Sequence, residues 1–232
     1  MIQVENDNKK GTKKMKLFEE RKKIHEFTKK LIDAGLMHNG HGNISIYNRE
    51  SGLAAITPSA VPYEDRQIED ICVVDLDGNI VEGKWKSTWE TSMHLIYYKK
   101  RPDINAVIHT HAPKSTVFGV IGTDPMPMIL NESSMGLGGA VPVAPYARPG
   151  SDELAEVTCE AVGDGFAAIM AHHGVITVGA TIEQAFIATI ALESTADTIM
   201  MARSMGKEPI AMADDEVKVL KKLFVDYKPV KL

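Results

Sequence analysis

Between residues 43 and 81 the chain carries short apolar or β-branched runs separated by turn residues, a spacing that leaves little choice but an antiparallel meander. Asn43 to Tyr47, Leu53 to Thr57 and Ile71 to Asp75 are the first of these runs, and Asp77-Gly78 is a tight-turn signal ahead of Ile80-Val81. Before the meander, Leu17, Ile24, Phe27 and Leu31 recur at helical spacing, and Gly35 is placed as a left-handed cap. After it, Thr88 to Lys100 is helical, with Met93, Ile96 and Tyr97 on one side, until Arg101-Pro102-Asp103 breaks the pattern. Further strands are expected at Asn105 to His111, Met126 to Leu130, Val141 to Pro145, Phe166 to Ala171 and Val175 to Val178, with one helix starting near Ser151. Thr181 and Gln184 form a capping-box pattern that opens a long helix running to Gly206, and a last helix runs from about Asp214 to Tyr227. Strands with helices between and after them predict a layered α/β protein whose sheet is mixed and largely antiparallel.

A chain of 232 residues, 44% of them hydrophobic, can bury a sizeable core and suits a single domain, here 16–232, behind a polar segment 1–15. Lys9, Lys10, Lys13, Lys14 and Lys16 make that opening stretch read as a solvated, mobile tail without the apolar run of a signal peptide. With 26 basic against 31 acidic residues and no dominant charged block, nothing marks a nucleic-acid footprint, so a small substrate is expected. No run reads as a membrane span. Cys72 and Cys159 stand alone in apolar segments, which suits buried thiols in a reducing, cytoplasmic compartment.

His109 and His111 lie two apart at the end of a strand-like run, so both imidazoles point to one side of the sheet. His173 follows the apolar run Phe166 to Ala171 and precedes Gly174, where the missing side chain admits backbone closely. Three histidines on one divalent ion would leave a position open, as catalytic zinc sites do; satisfied strand-end histidines are the alternative reading of the same spacing. His172 faces the other way if the strand continues. Glu90 and His94 share a helix face four residues apart, and for His94 the expected setting is an ordinary solvated face.

Taken together, Gly42-Asn43-Ile44-Ser45, Ile56-Thr57-Pro58-Ser59, Glu90 with His94, Arg101-Pro102-Asp103, His109-Thr110-His111, Ala144-Pro145-Tyr146 and His173-Gly174 resemble the class II sugar-phosphate aldolase and epimerase superfamily. Its members include L-fuculose-1-phosphate aldolases and L-ribulose-5-phosphate 4-epimerases, and the resemblance runs from about Leu17 to the C-terminus. It implies α/β/α subunits in a homotetramer with active sites between neighbours. Zinc, or manganese or cobalt in its place, would sit on His109, His111 and His173, with Glu90 as the acid-base residue. The implied reaction is reversible cleavage of a fuculose- or deoxy-pentulose-like ketose 1-phosphate to dihydroxyacetone phosphate and an aldehyde, with the enediolate stabilised on the metal. Burial beside an apolar wall is expected to raise the pKa of Glu90 for that task. Tyr227 matches a C-terminal tyrosine that, in the aldolases, protonates the aldehyde-side oxygen from a neighbouring subunit; a surface aromatic is the alternative.

Glutamate at position 90, and the absence of the epimerases' Thr-Thr-His-Ala-Asp segment, favour aldolase over epimerase. The sequence also departs from the fuculose enzymes. No tyrosine stands in Leu130-Asn131-Glu132, Ala60 replaces a glycine, and Trp89 replaces the second serine of Ser-Ser-Glu. Gly42, Asn43, Ser59, Thr88 and Trp89 are the candidate substrate and phosphate contacts. The Gly40 to Asn43 loop would act as an anion nest, and Trp89 would add an apolar wall suited to a deoxy sugar. Two other activities of the same fold remain open, 4-epimerisation and dehydration of a methylthioribulose 1-phosphate. A non-catalytic interaction module of the adducin kind is the alternative from another class.

Overall fold

The computed structural model describes residues 15–38 and 40–226, so Tyr227 and most of the lysine-rich opening stretch lie outside it. Its eight strands form one sheet in the order β4-β3-β2-β1-β5-β8-β7-β6. The meander is as expected: β1 (Asn43–Asn48), β2 (Leu53–Ile56), β3 (Cys72–Val74) and β4 (Ile80–Glu82) pair successively and antiparallel. On its other edge β1 pairs antiparallel with β5 (Ala106–Thr110), which pairs with β8 (Gly174–Gly179), and β8 pairs with β7 (Ala167–Met170). Only the contact between β7 and β6 (Val143–Ala144) is parallel.

Alternation along the strands splits the core into two layers. Ile44, Ala55, Ala106, Ile108, Ile169 and Val175 face one apolar cluster, built with α1 (Phe18–Asp33), α3 (Pro113–Ile121), α4 (Asn131–Leu137) and α6 (Ile182–Ser204). Ile56, Val107, Ala168, Ile176 and Val178 face a second cluster under α2 (Thr91–Lys100) and α5 (Asp152–Val162). This is the expected α/β/α layering. A last helix, α7 (Asp214–Asp226), packs against α4.

Three local expectations are corrected. The stretch Met126 to Leu130 is not a strand: Met126 alone bridges to Val141, because Pro125, Pro127 and Pro142 lack the N–H groups a ladder needs. Val141 to Pro145 shrinks to the two residues of β6 for the same reason. The helix expected from Thr88 begins at Thr91, with Glu90 at its N-cap.

Helices α3 and α4 carry no strong sequence pattern. The first starts at Pro113, and the Lys114 and Ser115 amides donate to the Glu193 carboxylate of α6 at 2.9 and 2.8 Å. A carboxylate at a helix N-terminus satisfies orphan donors and complements the dipole. The chain immediately after His111 is thereby pinned.

Although no stretch reads as a membrane span by inspection, α6 is 23 residues and apolar enough to cross a bilayer by length and composition. It packs against β5, β8, α3 and α4, and its Thr189, Thr195 and Glu193 hydrogen-bond within the fold.

Candidate metal centre

His109 lies near the end of β5 on the face of Val107, the α2 side, and His111 follows two residues later beyond the strand. His173 sits in the tight turn between β7 and β8, next to Gly174, whose backbone runs close beside the end of β5. A side chain at Gly174 would place Cβ 2.5 Å from the Thr110 carbonyl oxygen and 3.1 and 3.3 Å from the His111 and His109 rings. Glycine is therefore required there by close approach, as the sequence suggested. His172 is in the left-handed region, φ 57°, so the strand does not continue through it and its orientation follows from the turn.

The three expected ligands converge: one nitrogen from each of His109, His111 and His173 lies within 4.8 Å of the other two. Glu90 stands against them, with Oε2 3.3 Å from His109 Nε2 and Oε1 3.2 Å from His173 Nε2. The donor chemistry fits a cation and fits poorly without one. His109 Nδ1 donates to the Val175 carbonyl oxygen at 2.9 Å, so Nε2 carries a lone pair. That lone pair faces Glu90 and, at 3.2 Å, His111 Nε2. Glu90 Oε1 is buried and has no hydrogen-bond donor in good geometry. Acceptors facing one another in a buried site are unfavourable unless a positive charge lies among them. Three imidazoles and an adjacent carboxylate suit zinc or a similar divalent ion.

Electrostatics act the same way. Burial, aided by the neighbouring imidazoles, holds His111 down to about 3 and His173 down to about 4, so both rings stay in the neutral form that binds metals. The expectation for Glu90 is corrected in sign. Burial does push its pKa up, but His109, the Asn43 amide and His173 pull it further down, and the carboxyl ends below its ordinary value. Glu90 is therefore held as a base.

His94 overturns the reading of a solvated helix face: it is completely buried. Its surroundings admit one assignment of protons. Asn43 Nδ2 donates to Glu90 Oε2 at 2.8 Å, so Asn43 Oδ1 must accept, and the His94 Nε2–H that contacts it must donate. His94 Nδ1 then accepts from Ser45 Oγ at 2.7 Å, and Ser45 Oγ accepts from the Tyr98 hydroxyl. The chain of donors runs Tyr98, Ser45, His94, Asn43, Glu90, and each member fixes the next. Its sequence signal is Asn43 and Ser45 two apart on β1, facing Glu90, His94 and Tyr98 four apart along α2 from its N-cap; neither periodicity alone pairs them.

This burial gives a measurable pH dependence. His94 is held down to about 3 by burial, from an ordinary 6.5. Between those values the unfolded chain binds a proton that the folded chain refuses, so stability falls as pH drops through the window. The melting temperature should decline from pH 6.5 downward. In His94→Gln the decline should be shallower but not flat, since His111 and His173 act in the same sense. An unchanged slope would show that His94 is not the group responsible.

The other expected contacts line one cavity of about 830 Å³ that opens onto the histidines: Gly42, Asn43, Ser59, Thr88, Trp89 and Glu90 all border it, with His111 and His173. Gly40 and Gly42 have φ of 74° and 106°, as an anion nest requires, but the His41 amide already donates to His38 O at 3.0 Å. The Asn43 side chain is engaged by Glu90 and His94, which leaves it little reach toward a substrate. Trp89 is 80% exposed. Ala60, at the position where the fuculose enzymes have glycine, is itself left-handed at φ 56°, a conformation glycine adopts at lower cost. Glu132 lies in the first turn of α4 and does not border the cavity.

A profile of the family described as Class II Aldolase and Adducin N-terminal domain matches residues 22–200. A 5-deoxy-D-ribulose 1-phosphate aldolase of Bacillus thuringiensis is 38% identical over 92% of this chain and 99% of the relative. An L-fuculose phosphate aldolase of Escherichia coli is 32% identical over 83% of this chain and 88% of its own length. A solved L-fuculose 1-phosphate aldolase structure superposes with a TM-score of 0.85 at 32% identity, covering 89% of this chain and 96% of that one. With its layered sheet, its convergent histidines and these full-length relatives, all of them aldolases, the chain belongs to the class II aldolase and adducin family.

Proposed function

We propose that this protein is a zinc-dependent aldolase that reversibly cleaves a ketose 1-phosphate, of the 5-deoxy-pentulose or fuculose kind, to dihydroxyacetone phosphate and an aldehyde. The observation that carries the reading is the Glu90 carboxylate between His109 and His173, 3.3 and 3.2 Å from their nitrogens, on the wall of a cavity large enough for a sugar phosphate. Held by His109, His111 and His173, a divalent ion would supply Lewis acidity to a ketone oxygen and its neighbouring hydroxyl. Breaking the carbon-carbon bond between C3 and C4 turns the C4 hydroxyl into the aldehyde, its proton passing to Tyr227 and on to solvent, and leaves an electron pair on C3. Glu90, a carboxylate at rest, takes up a proton from solvent and delivers it to C3. In the synthetic direction the same carboxylate removes it. The Asn43 amide anchors one Glu90 oxygen, so the other is the one presented to substrate.

Support for a deoxy substrate comes from the Bacillus relative, a 5-deoxy-D-ribulose 1-phosphate aldolase, and from Trp89, which with Val61, Pro62 and Pro149 gives the cavity an apolar wall. The reading includes a homotetramer. Exposed Val120 and Ile121 on α3, and Ile187, Ile190 and Met201 on α6, are the apolar surface that favours association. The proton donor to the aldehyde oxygen is assigned to Tyr227, outside the described residues.

Product analysis tests the reaction. Zinc-loaded protein given 5-deoxyribulose 1-phosphate should release dihydroxyacetone phosphate, trapped by a coupled reduction, and acetaldehyde in equal amounts. A dehydrated or epimerised product with its carbon skeleton intact would replace the aldolase reading by one of the other activities of the fold. No turnover and no bound divalent ion would point to an interaction module.

A further inference from the structure

Arg66 is one of the most buried charged residues of the chain, 4% exposed, and nothing in the centre described above uses it. Its Nη2 donates to the Val61 carbonyl oxygen at 2.9 Å, and its guanidinium carbon lies 4.8 Å from the centre of the Tyr63 ring. The remaining nitrogens, Nε and Nη1, are buried without a hydrogen-bond partner. Asp70, an acid that acts on Arg66 through its charge, is taken by Lys84 at 2.7 Å and by the Trp85 indole at 2.8 Å. A cation buried in this way costs free energy unless an anion compensates it.

Arg66 stands between two pockets, one shared with His25, Lys29 and His38 and the other with the candidate metal centre. Arg66 borders the same cavity as Glu90 and the histidines, and among the described residues lining that cavity it is the only lysine or arginine. Through Val61 it ties down the loop that carries Ser59 and the left-handed Ala60. Through Tyr63 it backs a second loop, because the Tyr63 hydroxyl lies 2.8 Å from His41 O and 3.1 Å from Gly42 O and can donate to either. Two loops that line the cavity, one with Gly40 and Gly42 and one with Ser59, are thus braced on one permanent positive charge.

We propose that Arg66 is a specificity-determining residue: its buried guanidinium supplies the positive potential that makes this cavity select substrates ending in a phosphate monoester dianion, and the phosphate is its missing counter-charge. It acts from behind the Ser59 to Tyr63 loop, as a positioning and charge-bearing residue, and takes no part in bond breaking. The inference rests on the reading that the substrate is phosphorylated.

The test uses metal-loaded, full-length protein and two probes, ethyl phosphate and uncharged dihydroxyacetone, with binding measured calorimetrically. Arg66→Gln keeps an N–H for the Val61 carbonyl but removes the charge. It should weaken ethyl phosphate by roughly tenfold or more, the scale of one charge pair about 10 Å apart at an effective dielectric of about 20, and leave dihydroxyacetone and the metal unchanged. Arg66→Lys keeps the charge and should stay within about threefold of wild type for both probes, because the effect argued is one of charge acting at a distance. Equal weakening of both probes in Arg66→Gln would reduce Arg66 to a structural brace, and unchanged phosphate binding would remove it from recognition altogether. If Arg66→Gln fails to fold, a folded Arg66→Lys that loses tenfold in phosphate binding overturns the charge argument, whereas one that retains binding upholds it. Failure of the wild-type protein to bind ethyl phosphate would sink the phosphorylated-substrate reading itself, and the assignment of Arg66 with it.

Discussion

Replacing Glu90 by glutamine should lower turnover by about 10²–10⁴-fold, the span that a positioned acid-base group contributes, while the metal stays bound and the fold stays intact. Glutamine is nearly isosteric, and its side-chain oxygen can still accept from Asn43 Nδ2, the bond that now holds Glu90 Oε2 at 2.8 Å. The three imidazoles keep their positions, because His109 is fixed independently through Val175 O. What disappears is the proton-carrying capacity of an oxygen 3.2 Å from His173. The kinetic signature is a loss in kcat with little change in KM, since a residue that acts on the reacting carbon is needed in the transition state. Metal content by mass spectrometry and turnover should be measured on the same sample. Full activity in that sample would remove the acid-base assignment, and loss of the metal would show that Glu90 belongs to the ligand set instead.

His111→Ala should give the complementary result: protein that folds but does not retain the ion, with no detectable cleavage. His111 is the ligand to remove because it lies beyond the end of β5, so truncating it leaves the pairing of β5 with β1 and β8 untouched. His109 is a worse choice; it is fully buried and its Nδ1 holds Val175 O. Changes in residues that merely orient metal ligands cost about 10–100-fold in affinity, so loss of a ligand should exceed that range. The His41 ring, stacked 5.0 Å from His111, is not among the nitrogens that converge with His109 and His173. Titration with zinc should show binding weakened by more than about 100-fold, and added zinc in excess should not restore full turnover. Retention of stoichiometric metal would mean that the ion sits elsewhere than among the three histidines.

The divergent fates of the histidines show what a linear reading can and cannot reach. His109 and His111 were legible because a period of two in a strand is a local rule. His173 was legible through its glycine neighbour, whose necessity is a matter of a 2.5 Å approach to Thr110 O. His94 is not legible by the same local rule: four residues from Glu90 on a short helix it has the spacing of a solvated face, whereas that face is buried against Asn43 and Ser45 of β1. The fall of the Glu90 pKa was missed for a related reason. Burial could be anticipated from the sequence, but the competing pull of His109, Asn43 and His173 depends on distances across three elements.

The sequence by itself determined the meander and the α/β alternation and singled out His109, His111 and His173 as candidates, since each depends on side-chain period, turn chemistry or a residue type within a few positions. That the three converge is seen only in the fold. Only the tertiary structure decided that α3 follows His111, capped by Glu193 of α6, and that Glu90 is presented by a buried relay from Tyr98. It alone placed the unpaired charge of Arg66 behind the loops of the cavity. The cap and the relay pair residues 47 to 79 positions apart in the chain, and such contacts exist only once the sheet has closed. Their energies come from desolvation and charge, which act through space and leave no periodic trace along the sequence.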